Sequence, residues 1–142
     1  MVTNIYKLSL SFIVPAYNEE GNIDDTVYNI RRVMNNYMAP DYEILIFNDC
    51  STDRTGAYAD NIAKVDGRVH VIHNQKNMGL GYNYNKGVEI AAKEYVIMIP
   101  GDNETCHDFI EYIIKRINKK YDIIISYIAN PQVRPIVRRI IS

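Results

Sequence analysis

The amino-acid sequence predicts an α/β protein, a mainly parallel sheet of about five strands covered by helices, in a single domain over residues 1–142. Three observations predict it. Five short apolar runs lack polar alternation, as in strands covered on both faces. Stretches with apolar residues at helical spacing alternate with those runs, which is the pattern of βαβ units. Every strand-to-helix connection is rich in acids, amides or glycine, and right-handed crossovers place all of these connections on one edge of the sheet.

The first strand is predicted over Leu8–Val14, before the loop PAYNEE. Asn22 is a fair N-cap, and Ile23, Val27, Ile30, Met34 and Tyr37 mark an amphipathic helix to about Met38, where Pro40-Asp41 breaks it. The second strand is Tyr42–Phe47, closing on NDCSTD, where Ser51 or Thr52 can cap a helix carrying Ala59, Ile62 and Ala63. The third is Val69–Ile72; His70 and His73, three apart, point to opposite strand faces and do not form a ligand pair. The loop NQKNMGLG leads to a helix through Tyr84, Val88, Ala91 and Ala92. The fourth strand is Tyr95–Ile99, followed by PGDNE and a helix through Phe109, Ile110, Ile113, Ile114 and Ile117; Asp122–Tyr127 is the fifth. Residues 131–142 read as the start of a connecting helix with Pro135 in its first turn, so the chain is expected to be the N-terminal part of a longer protein.

Composition excludes several classes. The net charge of -1 gives no global attraction to nucleic acid. Two cysteines, Cys50 and Cys106, make neither a disulfide framework nor a metal spacing, and a reducing, cytoplasmic setting is the default. The first residues lack the basic-then-apolar layout of a signal peptide, and no apolar run approaches spanning length. No P-loop, no dinucleotide fingerprint after the first strand and no nucleophile elbow occur.

The chemistry lies on the loops. Asp102 and Glu104 follow an apolar strand and offer hard oxygen ligands for Mg²⁺ or Mn²⁺, although the same residues suit a turn before a helix. Asp49, after the second strand, can accept hydrogen bonds from a base or a ribose hydroxyl, or cap a helix. Asn77, Gly79 and Gly81 offer bare backbone to a ligand.

FIVPAYNEE, FNDCSTDRT, NMGLG with NKG, and an acid loop after a strand, in this order, resemble the inverting family-2 glycosyltransferases. The resemblance spans about residue 10 to 142 and is nearest to the branch acting on polyprenyl (dolichol-type) phosphates. It implies the glycosyltransferase-A fold and transfer of a sugar from a UDP- or GDP-linked donor to a polyprenyl phosphate or a growing glycan. It also implies that Pro15, Tyr17 and Glu19 border the nucleotide, that Asp49 holds the base, and that Gly79, Asn85 and Gly87 lie beside the nucleotide. Asp102, supported by Glu104, would bind the divalent ion; Arg138 or Arg139 would lie near the acceptor or donor phosphates. The resemblance places the full-length protein at the cytoplasmic face of a membrane, and the apolar side of the tail suggests a homo-oligomer.

The sequence departs from the family pattern. Asn48 and Cys50 replace an Asp and the Gly of Asp-Asp-Gly-Ser, Pro100 replaces the first Asp of Asp-x-Asp, and Tyr127 stands where an Arg follows the fifth-strand Ser. Pro100 and the short chain support a second reading, a non-catalytic nucleotide-sugar-binding fragment or degenerate paralogue. The PAYNEE and NDCSTD loops oppose it.

Overall fold

The computed structural model describes residues 8–105, 107–117 and 123–124. Its elements are β1 (Leu10–Ala16), α1 (Ile23–Asn36), β2 (Tyr42–Asn48), α2 (Thr55–Val65), β3 (Val69–His73), α3 (Leu80–Ile90), β4 (Tyr95–Met98) and α4 (His107–Ile117). Four parallel strands lie in the order β3-β2-β1-β4. The described sheet thus has one strand fewer than expected. The predicted fifth strand, Asp122–Tyr127, lies outside the described residues except at Ile123 and Ile124, which are not in a strand. The predicted tail helix also lies outside them, as do Arg138 and Arg139.

β1 and β2 are buried along their whole length, which accounts for their unbroken apolar runs. Alternate side chains go to opposite faces. Leu10, Phe12, Val14, Ile44 and Ile46 join residues of α1, α2 and α4 in the larger core. Ile13, Leu45 and Phe47 form a smaller core on the other face, where α3 packs. Gly87 makes that packing close: a Cβ there would lie 2.5 Å from Ile13 Cδ1. On this face a polar pair crosses the two central strands. Ser11 Oγ donates to Glu43 Oε1 at 2.6 Å, and the same carboxylate oxygen accepts from Ala92 N at 2.7 Å. These bonds anchor the α3–β4 connection and satisfy two buried polar side chains.

β1 runs two residues past its predicted end, through Pro15 and Ala16. Pro is rare in a central strand because it donates no ladder hydrogen bond. Here the Pro15 carbonyl accepts from Gly101 N at 2.9 Å, so its missing N–H also faces the β4 side. Pairing of β1 with β4 stops at Ile13↔Met98, whereas pairing with β2 continues to Ala16↔Asn48. Pro100 fits for a related reason. Ile99 N and Gly101 N both donate toward β1, at 2.9 Å each, so the nitrogen of Pro100 faces away from that strand.

α1 ends at Asn36, two residues before the predicted stop. Met38 takes φ 47, and Met38 N and Ala39 N donate back to Asn35 O and Met34 O, each at 3.0 Å, closing the helix by a Schellman-type turn. α2 begins later than predicted, at Thr55, because residues 51–54 are engaged elsewhere.

Candidate donor-binding edge

β1, β2, β3 and β4 all deliver their C-terminal ends to one edge, and strand order reverses between β1 and β4. Ligands of open α/β sheets bind outside such a switch point. Four connections meet there: loop 1 (residues 17–22), loop 2 (49–54), loop 3 (74–79) and loop 4 (99–105).

Loops 1 and 2 are zipped together. Asn18, at φ 56, accepts on Oδ1 from Thr52 N at 2.8 Å, and its own N–H donates to Ser51 Oγ at 3.1 Å. Glu19 N donates to Thr55 Oγ1 at 2.7 Å and Glu20 N to Asp53 Oδ2 at 3.1 Å. Glu20 Oε2 accepts from Arg54 N at 3.0 Å and from Arg54 Nε at 3.2 Å. Asp53 Oδ1 accepts from Thr55 N at 2.9 Å, so Asp53 satisfies a donor at the start of α2, in place of the predicted Ser51 or Thr52. Burial pushes the Asp53 carboxyl up, but hydrogen bonds from the Thr55 hydroxyl, Thr55 N and Glu20 N outweigh it and hold it below the usual carboxylate value. The predicted cap of α1, Asn22, occupies the N-cap position without capping; its Nδ2 donates to Glu19 Oε2 at 2.8 Å.

Asn48, one of the departures from the family pattern, is a connector. Its Oδ1 accepts from Ser51 N at 3.2 Å, which leaves Nδ2 to donate to His73 Nδ1 at 2.9 Å. His73 then carries its proton on Nε2, facing Asp60 Oδ1 at 3.0 Å, an assignment made from the network. Gly56 allows this arrangement, since a Cβ there would lie 2.7 Å from Asn48 Nδ2.

Asp49 is 3% exposed. It accepts from Asn74 Nδ2 at 2.7 Å and Met78 N at 2.8 Å on Oδ1, and from Gly79 N at 2.8 Å on Oδ2. Burial pushes this carboxyl up, yet hydrogen bonds from Met78, Asn74, Gly79 and Asn83 bring it below its ordinary value. The N–H groups of Met78 and Gly79 belong to loop 3 and to the N-cap residue Gly79, at φ 83, ahead of the first turn of α3. Asp49 thus ties loop 3 to the end of β2 rather than capping the helix, which has no side-chain cap.

Loop 4 is carried by β1 and α1. Gly101 packs against β1, where a Cβ would meet Ala16 Cβ at 3.0 Å. Thr26 Oγ1 donates to Gly101 O at 3.2 Å, and Asn29 Nδ2 to Asn103 Oδ1 at 2.9 Å. Asp102 is half-buried, and its Oδ1 accepts from Glu104 N at 3.0 Å; Glu104 is exposed.

The structure therefore brings Pro15, Tyr17, Glu19, Asp49, Gly79, Asp102 and Glu104 to one edge. Two of the expected residues stand apart from these. Gly87 lies against Ile13, mid-strand, where it serves close helix–sheet packing. Asn85 is exposed, and helical geometry sets it opposite the buried Asn83 and Gly87, facing away from the sheet. Sequence reasoning missed Asn18, Asp53, Thr55, Asn74 and Asn83. The signal for Asp53 was Asp two residues before a Thr that opens a helix; for Asn83 it was spacing of four from Gly87. A pocket of about 580 Å³ opens beside loop 3, lined by His73, Asn74, Gln75, Lys76, Met78 and Tyr82. It lies at the loop 3 end of the edge, and no residue of loops 1, 2 or 4 lines it.

The family model for glycosyl transferase family 2 matches residues 11–137. The chain belongs to glycosyl transferase family 2. Family members similar to it include a protein named a putative teichuronic acid biosynthesis glycosyltransferase, TuaG, of Bacillus subtilis. That relative is 33% identical over 106 residues, covering 75% of this chain and 40% of the relative. Polyprenol monophosphomannose synthase of Mycolicibacterium smegmatis is 34% identical over 97 residues, covering 67% of this chain and 35% of that one. Among solved structures, the mannosyltransferase PcManGT of Pyrobaculum calidifontis, in complex with GDP-Man and Mn²⁺, superposes with a TM-score of 0.66 at 21% identity. It covers 90% of this chain and 34% of that chain. S. aureus TarS 1–349 with UDP-GlcNAc gives 0.58 at 24% identity, covering 78% and 32%. These structures share the fold, the expected glycosyltransferase-A type. The chain spans about a third of the length of these family-2 relatives. Among the described residues no helix is long and apolar enough to cross a membrane.

Proposed function

We propose that this family-2 chain is the donor-binding part of a glycosyltransferase that moves a sugar from a nucleoside-diphosphate sugar to an acceptor. The observation that carries the reading is the placing of Asp102, on a loop fastened to β1 and α1, across the β1/β4 switch point from zipped loops 1 and 2. Loop 1, with exposed Tyr17 and half-buried Glu19, would border the nucleotide. Asp49 would shape loop 3 rather than depend on the ligand for its hydrogen bonds.

Among the described residues no group of three or more His, Cys, Asp or Glu is set to hold a metal ion. That donor set fits Mg²⁺ or Mn²⁺ in one mode: an ion held by one or two carboxylates and completed by substrate phosphates and water. Asp102 would be the main ligand, with Glu104 in support. When bound, such an ion stabilises negative charge on the departing nucleoside diphosphate. A polyprenyl phosphate acceptor is already an anion and needs no general base, whereas a sugar hydroxyl does. Relatives named for polyprenol phosphate mannose and for teichuronic acid synthesis support both acceptor classes. A position at the cytoplasmic face of a membrane belongs to the same reading.

Calorimetry with UDP and GDP, with and without Mn²⁺, tests it. One nucleoside diphosphate should bind, more tightly with Mn²⁺, and Asp102→Asn should abolish the Mn²⁺ enhancement while Glu104→Gln only reduces it. Absence of nucleotide binding, or an equal enhancement in wild type and Asp102→Asn, would overturn the assignment.

A further inference from the structure

Asn83 stands in the first turn of α3 and is 1% exposed. Asn is a weak helix former because its amide competes with the backbone, so its burial there asks for another cause. The cause is a relay of side chains from three elements, with Asn74 at its middle. Asn74 Nδ2 lies 2.7 Å from both Asp49 Oδ1 and Asn83 Oδ1, so its two hydrogens are shared between them. Asn83 is also among the polar groups that hold the Asp49 carboxyl below its ordinary value, against the opposing effect of burial. Asp49 then receives the N–H groups of Met78 and Gly79.

We infer that Asn83 is a positioning residue for the donor site: it locks Asn74 and Asp49 together, so that Met78 and Gly79 present one conformation to the nucleotide. The inference rests on the donor-binding reading. Gly79 has φ 83 and no side chain to hold it. Its carbonyl accepts from Asn83 N at 3.2 Å, and its N–H is held by Asp49, whose carboxylate is in turn bonded by Asn74. A loop ordered before the ligand arrives does not lose that freedom on binding.

The test combines amide hydrogen exchange at Met78 and Gly79 with binding of UDP and GDP in the presence of Mn²⁺, between pH 5 and 8. Asn83→Ala should keep a cooperative melt, lose exchange protection at both amides and weaken nucleotide binding about tenfold, the scale of one or two hydrogen bonds. Asn74→Ala, which removes the middle member, should do the same if Asn83→Ala does not fold. Asn83→Asp carries the decisive signature. Near neutrality its carboxylate faces Asp49, so protection and affinity should fall at least as far as in Asn83→Ala. As the pH drops and the introduced acid takes up a proton, it regains a donor, and both readouts should recover toward wild type at the same pH. A side chain that merely fills space would produce no such pH profile. Wild-type protection and affinity in all three variants would overturn the inference. If the wild type binds neither nucleotide, the donor reading falls by itself, and the two amides still decide whether Asn83 positions the loop.

Discussion

Asp49 shows how the place of one side chain can be read from sequence and its surroundings misjudged. That an acid stands at the end of an apolar strand, on the loop edge of the sheet, was legible. Its hydrogen bonds were not, because they come from residues 25 to 30 positions further on. A carboxylate placed on an open loop edge could be removed without harm to the fold; one that takes three internal hydrogen bonds cannot. Asp49→Ala strands two backbone donors and one amide. With about 1–3 kcal/mol for each buried group left unpaired, and partial relief by water, the expected loss is about 2–4 kcal/mol in urea unfolding. Nucleotide affinity should fall with it. Unchanged unfolding of Asp49→Ala would mean that loop 3 is held by something else. Asn83, by contrast, offered only a weak sign in the sequence. An amide on the buried face of a helix becomes meaningful only when its partners just past the ends of β2 and β3 are known.

At the scale of the elements, periodicity located each described strand and helix, because burial on one or both faces imposes the 2.0 and 3.6 repeats. Boundaries were less legible where tertiary contacts set them. Loop 1 claims residues 51–54 and delays α2 to Thr55. α3 shows a second limit of pattern reading. Its Gly87 falls in a motif whose resemblance implied a ligand contact, yet the glycine is needed by the helix–sheet interface. Gly87→Ala would drive a methyl to within 2.5 to 2.8 Å of three Ile13 carbons. Overpacking of this kind costs about 1–3 kcal/mol, and here it should exceed the gain in helix propensity. Thermal melts of Gly87→Ala and of Gly87→Ala with Ile13→Val separate the two readings. The second change should restore part of the lost stability if the contact is steric, and none if Gly87 serves a ligand.

For the whole molecule, strand order was beyond the reach of local pattern, since neither the reversal between β1 and β4 nor the pairing register is written in any single segment. The opposite end of the sheet also holds an element that no motif announced. Asp66, at the end of α2, bonds Arg31 of α1 and Arg68 just before β3, each at 2.9 Å, and Arg68 lies over the Tyr42 ring at 4.5 Å. The hydrogen bond from Arg68 lowers the Asp66 carboxyl to about 2, against the opposing effect of burial. A folded value below the unfolded one, near 4, stabilises the fold fully above about pH 4 and progressively less as pH falls toward 2. With its two arginines partly exposed and screened by solvent, the contribution is on the order of 1 kcal/mol. Asp66→Asn should therefore lower stability at pH 7, and the difference from wild type should vanish near pH 2 in denaturant titrations. A difference that persists undiminished at pH 2 would assign the effect to packing.

The zip between loops 1 and 2 has an evolutionary consequence. Its hydrogen bonds join residues 33 to 36 positions apart, and acceptors and donors come from both sides: Asn18 and Glu20 receive from one loop, Ser51, Asp53 and Thr55 from the other. Neither segment can drift alone without leaving a donor or a carboxylate stranded. The two stretches form a single unit split by a helix and a strand. A chimera that borrows one of them from a relative must borrow its mate as well.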